Sequence, residues 1–467
     1  MAKAPPKRPN RDSVTTINDD GSRFFLHPAD AHGPWVIARR VAAVLLIAIY
    51  VSLPWIQIGG QPAVFLDFIN RRFHLFGLTF GAGDIWLTFF LITGLAFFLF
   101  FTTALFGRLW CGWACPQTVF LEHVFRRVER WIEGDAPQRK RLDAAPWSPE
   151  KAFKRVLKHG IFIVFAGLIA HVFLAYFVSI PQLYEWVRAS PLDQARAFGF
   201  ILIATGILYF NFVWFREQLC IVICPYGRLQ SALIDEHTIN VAYDERRGEP
   251  RGKMGTEGAG DCIDCNRCVQ VCPTGIDIRQ GLQLECVACT ACIDACDEIM
   301  EKVKRPRGLI RYASEETLAG RKTRYVRART VIYMVFLLLG LTVMTLAFSS
   351  LQPFESNISR MPGRPSYVTD DHIRNQFLIR LGNKRGEPAR FHVEALSMPA
   401  GMRLVGWETS VELGPYAEES RPLILQQERA HYTGPVPVTI RVRTEDGRGV
   451  RERTLEFLGP DPRVFAP

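Results

Sequence analysis

Twelve cysteines carry most of the chemistry open to this chain, and all of them fall between Cys111 and Cys296 of its 467 residues. Eight lie between Cys262 and Cys296 in two copies of one spacing, C-x2-C-x2-C-x3-C. The first copy is Cys262, Cys265, Cys268 and Cys272, followed at once by Pro273. The second is Cys286, Cys289, Cys292 and Cys296, with Asp297 in the place of the proline. Thiolates at this density serve as metal or iron–sulfur ligands, or they pair as disulfides.

The spacing separates these options. A structural zinc site takes four ligands from paired C-x2-C hooks, and a triple hook supplies the wrong set. Disulfide frameworks suit short secreted chains, which this is not. What remains is the bacterial two-cluster ferredoxin pattern, in which the fourth cysteine of each run ligates the other cluster. Three cysteines at every third position on a tight loop cap three irons of one cubane, and the fourth turns away to the second cubane. The expected ligand sets are therefore Cys262, Cys265, Cys268 and Cys296 for one [4Fe–4S] cluster, and Cys286, Cys289, Cys292 and Cys272 for the other.

The other four cysteines form a second pattern, C-x3-C-P, at Cys111–Cys115–Pro116 and again at Cys220–Cys224–Pro225, offset by 109 residues. Each follows an apolar run, so the pair reads as an internal repeat of two spans plus one motif. A proline at the first helical position places Cys115 at a helix N-terminus, where exposed amides lower a thiol's pKa. If instead the span continues through the motif, the two cysteines share one helix face. Either way the repeat can gather four sulfurs suited to Cu(I), zinc or an iron–sulfur centre. The plainer alternative is small buried residues at helix ends. A dithiol redox pair is a third option, although C-x3-C is not the thioredoxin-like spacing.

These motifs need a frame. The net charge is +10 and 48% of residues are hydrophobic, but the two are segregated: long apolar runs alternate with basic loops. A bilayer takes about 20 apolar residues. Five runs qualify, near Val41–Ile58, Ile85–Phe106, Ile161–Ile180, Phe198–Phe215 and Val331–Phe348. Basic residues crowd 107–157 and 216–328, whereas the loop between the third and fourth runs has only Arg188 and Arg196; Arg71 and Arg72 between the first two runs conflict mildly. The positive-inside rule then puts the N-terminus and the clusters in the cytoplasm and the C-terminus outside a bacterial inner membrane. Free thiolates that carry iron favour the same reducing side.

The expected organisation is a disordered tail at 1–34, a four-span unit at 35–230, a ferredoxin domain at 231–328, a fifth span at 329–351 and a β domain at 352–467. The charged 133–151 stretch reads as a connector, and no cleavable signal peptide is evident. Period-two alternation in the last hundred residues suggests a small β-sandwich. The fold class is a multi-domain membrane protein: an α-helical bundle of five spans with an inserted two-cluster domain and a C-terminal sandwich. The 117–132 segment has an amphipathic pattern suited to a membrane interface. His171, inside the third run, is a candidate for quinol or proton handling. His159 lies near that run's edge, and His123 reads as an interfacial helix residue. Asp84 and Glu122 show no paired-carboxylate logic. No phosphate loop, hydrolase triad or nucleic-acid module is present.

The ordered combination of these features resembles the cytochrome c oxidase accessory protein family, the group called CcoG, FixG or RdxA, over nearly the whole chain. Asp297 departs from a doubled Cys-Pro pattern. The resemblance implies reduction of Cu(II) to Cu(I) for assembly of cbb3-type cytochrome oxidase. It also implies copper at Cys111, Cys115, Cys220 and Cys224, and an immunoglobulin-like periplasmic tail. Implied partners are membrane lipid, oxidase assembly factors or a copper transporter or chaperone, and an electron donor of unknown identity; a homodimer is open. Two rivals are a quinol dehydrogenase-type subunit and a copper chaperone or scaffold without turnover.

Overall fold

The computed structural model describes residue 16 and residues 23–407, 410–461 and 463. The chain divides into two compact units. One contains the residues up to Leu53 together with Phe90–Ala175 and Ile180–Thr342; the other contains Pro54–Phe89, Tyr176–Ser179 and everything from Val343 on.

Five helices are long and apolar enough to cross a membrane: Pro34–Ser52, Trp86–Phe106, Pro149–Leu174, Ala195–Phe215 and Ala328–Ser349. The second, fourth and fifth agree closely with the apolar runs. The first does not: it starts at Pro34, and the chain turns after Leu53 instead of continuing helically to Ile58. Its start is fixed by Asp294, whose carboxylate accepts from the amides of Trp35 (3.4 Å) and Val36 (2.7 Å). The third helix starts at Pro149, well before Ile161, with Ser148 as its cap. Its charged first turns are held by protein: Lys158 and Arg155 both pair with Glu133, at 2.8 and 2.9 Å. Hydropathy alone misses such a start because ion pairing satisfies the polar residues. The 133–151 connector likewise contains a helix, Ala136–Ala144, with Asp135 and Gln138 in a reciprocal cap.

Much of the expected disordered tail, residues 1–15 and 17–22, lies outside the described residues. Residues 23–33 are packed. The Ala29 amide donates to Gln270 (2.8 Å), Arg267 donates to the Asp30 carbonyl (2.6 Å), and Arg139 donates to the Pro28 carbonyl (2.9 Å).

Beneath these contacts lies a buried ionic network. Arg126, almost wholly buried, bonds Glu122, Glu217 (3.1 Å) and the carbonyl of Pro273 (3.2 Å). Arg23 also bonds Glu217 (2.5 Å), and Arg216 bonds Glu129, with Arg139 at 3.6 Å from the same carboxylate. Burial pushes the Glu129 carboxyl up, but Arg216, Lys158, Arg126 and Arg139 outweigh it and hold the group at about 2.

The two-cluster segment is framed by an antiparallel pair of strands, Asn240–Tyr243 and Ile310–Ala313. Two helical segments, Arg267–Gln270 and Ala291–Lys302, begin just before the third cysteine of each triple hook, Cys268 and Cys292.

In the second unit, a sheet of Met402–Val405, Glu418–Glu428, His372–Asn383 and Phe354–Arg360, with Tyr367–Val368 on its edge, packs on a sheet of Val411–Leu413, Ala389–Ala395, Val436–Thr444 and Val450–Phe457. Ile379, Leu381, Phe391, Leu423 and Ile440 are fully buried between them. The segment between the first two spanning helices belongs to this unit, not to the 35–230 unit that the sequence suggests. It forms a three-stranded sheet, Val64–Asp67, Arg72–Leu75 and Leu78–Phe80. Arg72 bonds the Tyr416 carbonyl, the Tyr416 hydroxyl donates to Gly59 (2.7 Å), and Asp84 forms a buried ion pair with Lys384.

Two outcomes follow. Truncating Phe391 to alanine removes a fully buried ring packed on Phe354 and costs about 3–5 kcal/mol, seen as earlier denaturation of the second unit in the solubilised protein. Glu129 titrates below its ordinary value, so its stabilisation is complete above about pH 4.5 and fades as pH falls towards about 2. E129Q should lose this acid dependence and lower the thermal midpoint at neutral pH, since breaking a buried pair costs about 3–5 kcal/mol.

Candidate metal centres

All twelve cysteines are free thiols. In the triple hooks, residues between the cysteines take the left-handed backbone: Asp264 and Asn266 in the first, Ala288 and Thr290 at equivalent places in the second. None is glycine, so each costs backbone strain, and the strain curls the loop tightly enough to point its thiols inward.

The thiols of the two hooks lie close together, and Cys268 is within electrostatic reach of Cys292 as well as of Cys296. Cys296 lies within electrostatic reach of Cys262, Cys265 and Cys268; Cys292 lies within reach of Cys286, Cys289 and Cys272. Cys272, Cys286, Cys289 and Cys292, with Cys268, line one cavity walled by Val241, Ile276, Ile278 and Val287. Burial pushes the Cys268, Cys286 and Cys296 thiols up to about 12. Buried thiols of this kind ionise readily only when iron supplies the compensating charge. An all-sulfur donor set spread around an apolar cavity fits a [4Fe–4S] cluster.

Asp297 has a structural account. Cys296 lies inside the helix Ala291–Lys302, where a following proline would break the helix. Cys272 lies just past a helical turn, where Pro273 is tolerated. The Asp297 carboxylate instead accepts from the Gly308 amide at 2.8 Å.

The two C-x3-C-P motifs share local geometry. Gly107 and Arg216, at the 109-residue offset, both take positive φ, 54° and 50°, ending the spanning helix before the motif. A short helical turn carries Cys111, another carries Cys220, and Pro116 and Pro225 each start a helix capped by Cys115 and Cys224. The span therefore does not run through the motif.

The four thiols come together. Cys220 is within electrostatic reach of Cys115, Cys111 and Cys224, and Cys111 of Cys115 and Cys224. Burial pushes Cys111 up to about 11 and Cys220 to about 12. Cys115 is also raised, because burial outweighs the Thr118 and Gln117 amides that favour its thiolate. The thiol activation expected from the helix N-terminus is thus absent at Cys115.

Sequence reasoning missed what joins the two constellations. Gly112 lies against the second hook: a Cβ there would approach the Val287 carbonyl oxygen to 2.5 Å and that of Ala288 to 2.7 Å. Cys111 packs in one apolar cluster with Val287, Cys289 and Cys292. The Trp113 indole donates to the Tyr312 hydroxyl (3.3 Å), which donates to the Ala288 carbonyl (3.3 Å). Gln230, fully buried, contacts Cys111 Sγ through its amide nitrogen at 3.3 Å. The glycine inside the first motif was the one visible signal.

The weaker candidates are otherwise engaged. His171 Nδ1 bonds the Gly167 carbonyl of its own helix (2.7 Å), and His159 Nδ1 bonds the Tyr209 hydroxyl (2.9 Å). Burial, with Arg39, Arg127 and Arg40 nearby, pushes His123 down to about 4.

Comparisons with known proteins agree with this geometry. A 4Fe-4S dicluster domain matches residues 215–315, a 4Fe-4S binding domain matches 86–134, and the IG-like fold at the C-terminal of FixG matches 344–460. Protein RdxA of Cereibacter sphaeroides is 38% identical over 91% of this chain and 94% of its own length. Nitrogen fixation protein FixG of Rhizobium meliloti is 34% identical over 86% of both chains. Protein RdxB of Cereibacter sphaeroides is 39% identical over 75% of this chain and 77% of its own. The chain, with its five spanning helices and paired cysteine hooks, is a membrane-associated iron–sulfur electron-transfer protein belonging to the FixG/RdxA family.

Proposed function

We propose that this protein is a cupric reductase that supplies Cu(I) for assembly of a cbb3-type cytochrome c oxidase. Cys262, Cys265, Cys268 and Cys296 hold one [4Fe–4S] cluster, and Cys272, Cys286, Cys289 and Cys292 hold the other. Such clusters supply one-electron storage at potentials set by their surroundings. The substrate is Cu(II), taken up by Cys111, Cys115, Cys220 and Cys224. One electron from an external one-electron donor converts it to Cu(I), which leaves for an assembly factor or copper chaperone.

The observation that carries this reading is the packing of Cys111 against the apolar cluster that includes Val287 and Cys289, with the other three motif thiols within electrostatic reach of one another and of Cys111. Thiolate ligands favour Cu(I) over Cu(II), so binding adds to the driving force. Because no three of these thiols converge on a point, ion uptake requires a rotamer change that closes them. Apolar packing around Cys111 keeps water from the ion, and Gln230 fixes the orientation of its sulfur. Loop charge supports an inner-membrane topology with the thiols and clusters on the cytoplasmic side and the β domain on the periplasmic side.

One observation favours a second reading. The 4Fe-4S binding domain match at 86–134 contains only Cys111 and Cys115, so the four gathered thiols could instead hold a third cluster. Metal analysis and EPR of anaerobically purified protein decide between them. Replacing Cys111, Cys115, Cys220 and Cys224 by alanine should abolish Cu(II) binding and reduction and leave the iron content unchanged. Loss of one cluster's worth of iron with no effect on copper would establish the second reading. Unchanged copper binding and iron content would remove both. Gly112→Val should slow reduction at least tenfold without loss of iron, because its side chain must displace the first motif from Val287 and Ala288.

A further inference from the structure

The second unit carries an apolar surface that neither its own core nor the proposed copper chemistry uses. It belongs to the three-stranded sheet at 64–80. Along the middle strand, Arg72–Leu75, successive side chains point to opposite faces. Arg72 and His74 face the sandwich. Arg72 donates to the Tyr416 carbonyl, and the His74 ring meets the Tyr416 ring edge-on with centroids 5.2 Å apart. Phe73 and Leu75 face the other way, and with Phe80 they pack on Leu87, Ala347 and Phe348.

Leu87 lies in the first turn of the second spanning helix, and Ala347 and Phe348 lie in the last turn of the fifth. The fifth helix has 22 residues, so it is about 33 Å long, close to the thickness of a bilayer's hydrocarbon core. The sheet is therefore held between the sandwich and the helix ends, at the edge of the hydrocarbon.

The tip of its first hairpin is apolar and uncovered. Phe68 meets Phe73 edge-on at 5.4 Å, so it shares the face turned to the helix ends, and it stacks on Phe177, just past the third spanning helix, at 5.7 Å. Phe68 is nevertheless 62% exposed, and Ile69 beside it is 83% exposed. The carboxylate at the tip is turned back on the turn: Asp67 accepts from the Asn70 amide at 3.0 Å and from its side-chain nitrogen at 2.6 Å. Arg71, in the same turn, is exposed. An arginine can lay its aliphatic stem along hydrocarbon while its guanidinium reaches the headgroup phosphates.

We propose that the Phe68–Ile69 tip is immersed in the phospholipid leaflet on the β-domain side, as an interfacial membrane contact separate from the five spanning helices. Continuity with the spanning surface favours lipid as the occupant. Leu346, one residue before Ala347, is 64% exposed, so the lipid-facing flank of the fifth helix runs up to the place where the sheet is seated. Trp55, three residues past the end of the first spanning helix, is also exposed, and tryptophan is favoured at this depth of a membrane.

The test is fluorine NMR on the full-length protein in phosphatidylcholine nanodiscs, with trifluoromethyl-phenylalanine in place of Phe68, Ile69 or Phe391, one position at a time. The signals from positions 68 and 69 should be broadened several-fold more by a doxyl label on the lipid acyl chains than by an aqueous gadolinium chelate. Position 391, fully buried in the sandwich, should be shielded from both agents. Stronger broadening of the tip signals by the aqueous chelate overturns the proposal. A tip shielded from both agents also overturns it, because a second copy of the chain or another protein then covers the surface. If the label at Phe68 disturbs folding through its contacts with Phe73 and Phe177, the label at Ile69 decides by the same criteria.

Discussion

The membrane-embedded unit depends on Arg126. Its guanidinium is buried on all sides and joins three pieces of chain that are distant in sequence: the helix after Cys115, the approach to Cys220 through Glu217, and the loop after Cys272 through the Pro273 carbonyl. Removing a charge from such a site leaves its partners buried and unpaired, which is the costly direction. The network therefore contributes specificity of arrangement more than net stability. It fixes where the two cysteine motifs and the end of the first cysteine run stand relative to each other.

With this clamp in place, the smaller contacts become intelligible. Gly112 lets backbone meet backbone where any side chain would intrude. Trp113 and Tyr312 complete the seam by hydrogen bonds, and Trp35 packs edge-on against both, at 6.2 and 5.3 Å. Asp294, two residues after Cys292, caps the first spanning helix, so the cluster domain and the membrane helix share one boundary. The left-handed residues in each hook store strain that the cluster's ligation can hold in place.

The cysteine spacings made the chemistry legible from residues alone, because ligand geometry constrains sequence directly. The spanning helices were legible where they are uniformly apolar. Their starts at Pro34 and Pro149 were not, because tertiary ion pairs and a distant carboxylate cap the charged turns there. The approach of the first C-x3-C-P motif to the Val287 and Ala288 backbone was hidden because it depends on long-range packing. Arg71 and Arg72 looked like a mild conflict in loop charge, yet Arg72 is a tertiary ligand of the Tyr416 carbonyl and Glu418. A basic residue that pairs within a folded unit need not report on topology in the way a solvated one does.

The strands between the first two spanning helices carry a consequence for biosynthesis. Their partners, Tyr416, Lys384 and the rest of the sandwich, lie in the last third of the chain. A ribosome adding roughly 5–20 residues per second reaches them tens of seconds after this segment is made. Until then the short sheet at 64–80 lacks these partners and has the Tyr176 carbonyl, which accepts from the Leu66 amide at 2.7 Å, while four further helices are inserted in the meantime. The earliest loop of the protein is thus among the last parts to be finished. Release of the C-terminal domain from the ribosome, not insertion of the helices, sets when the second unit is complete.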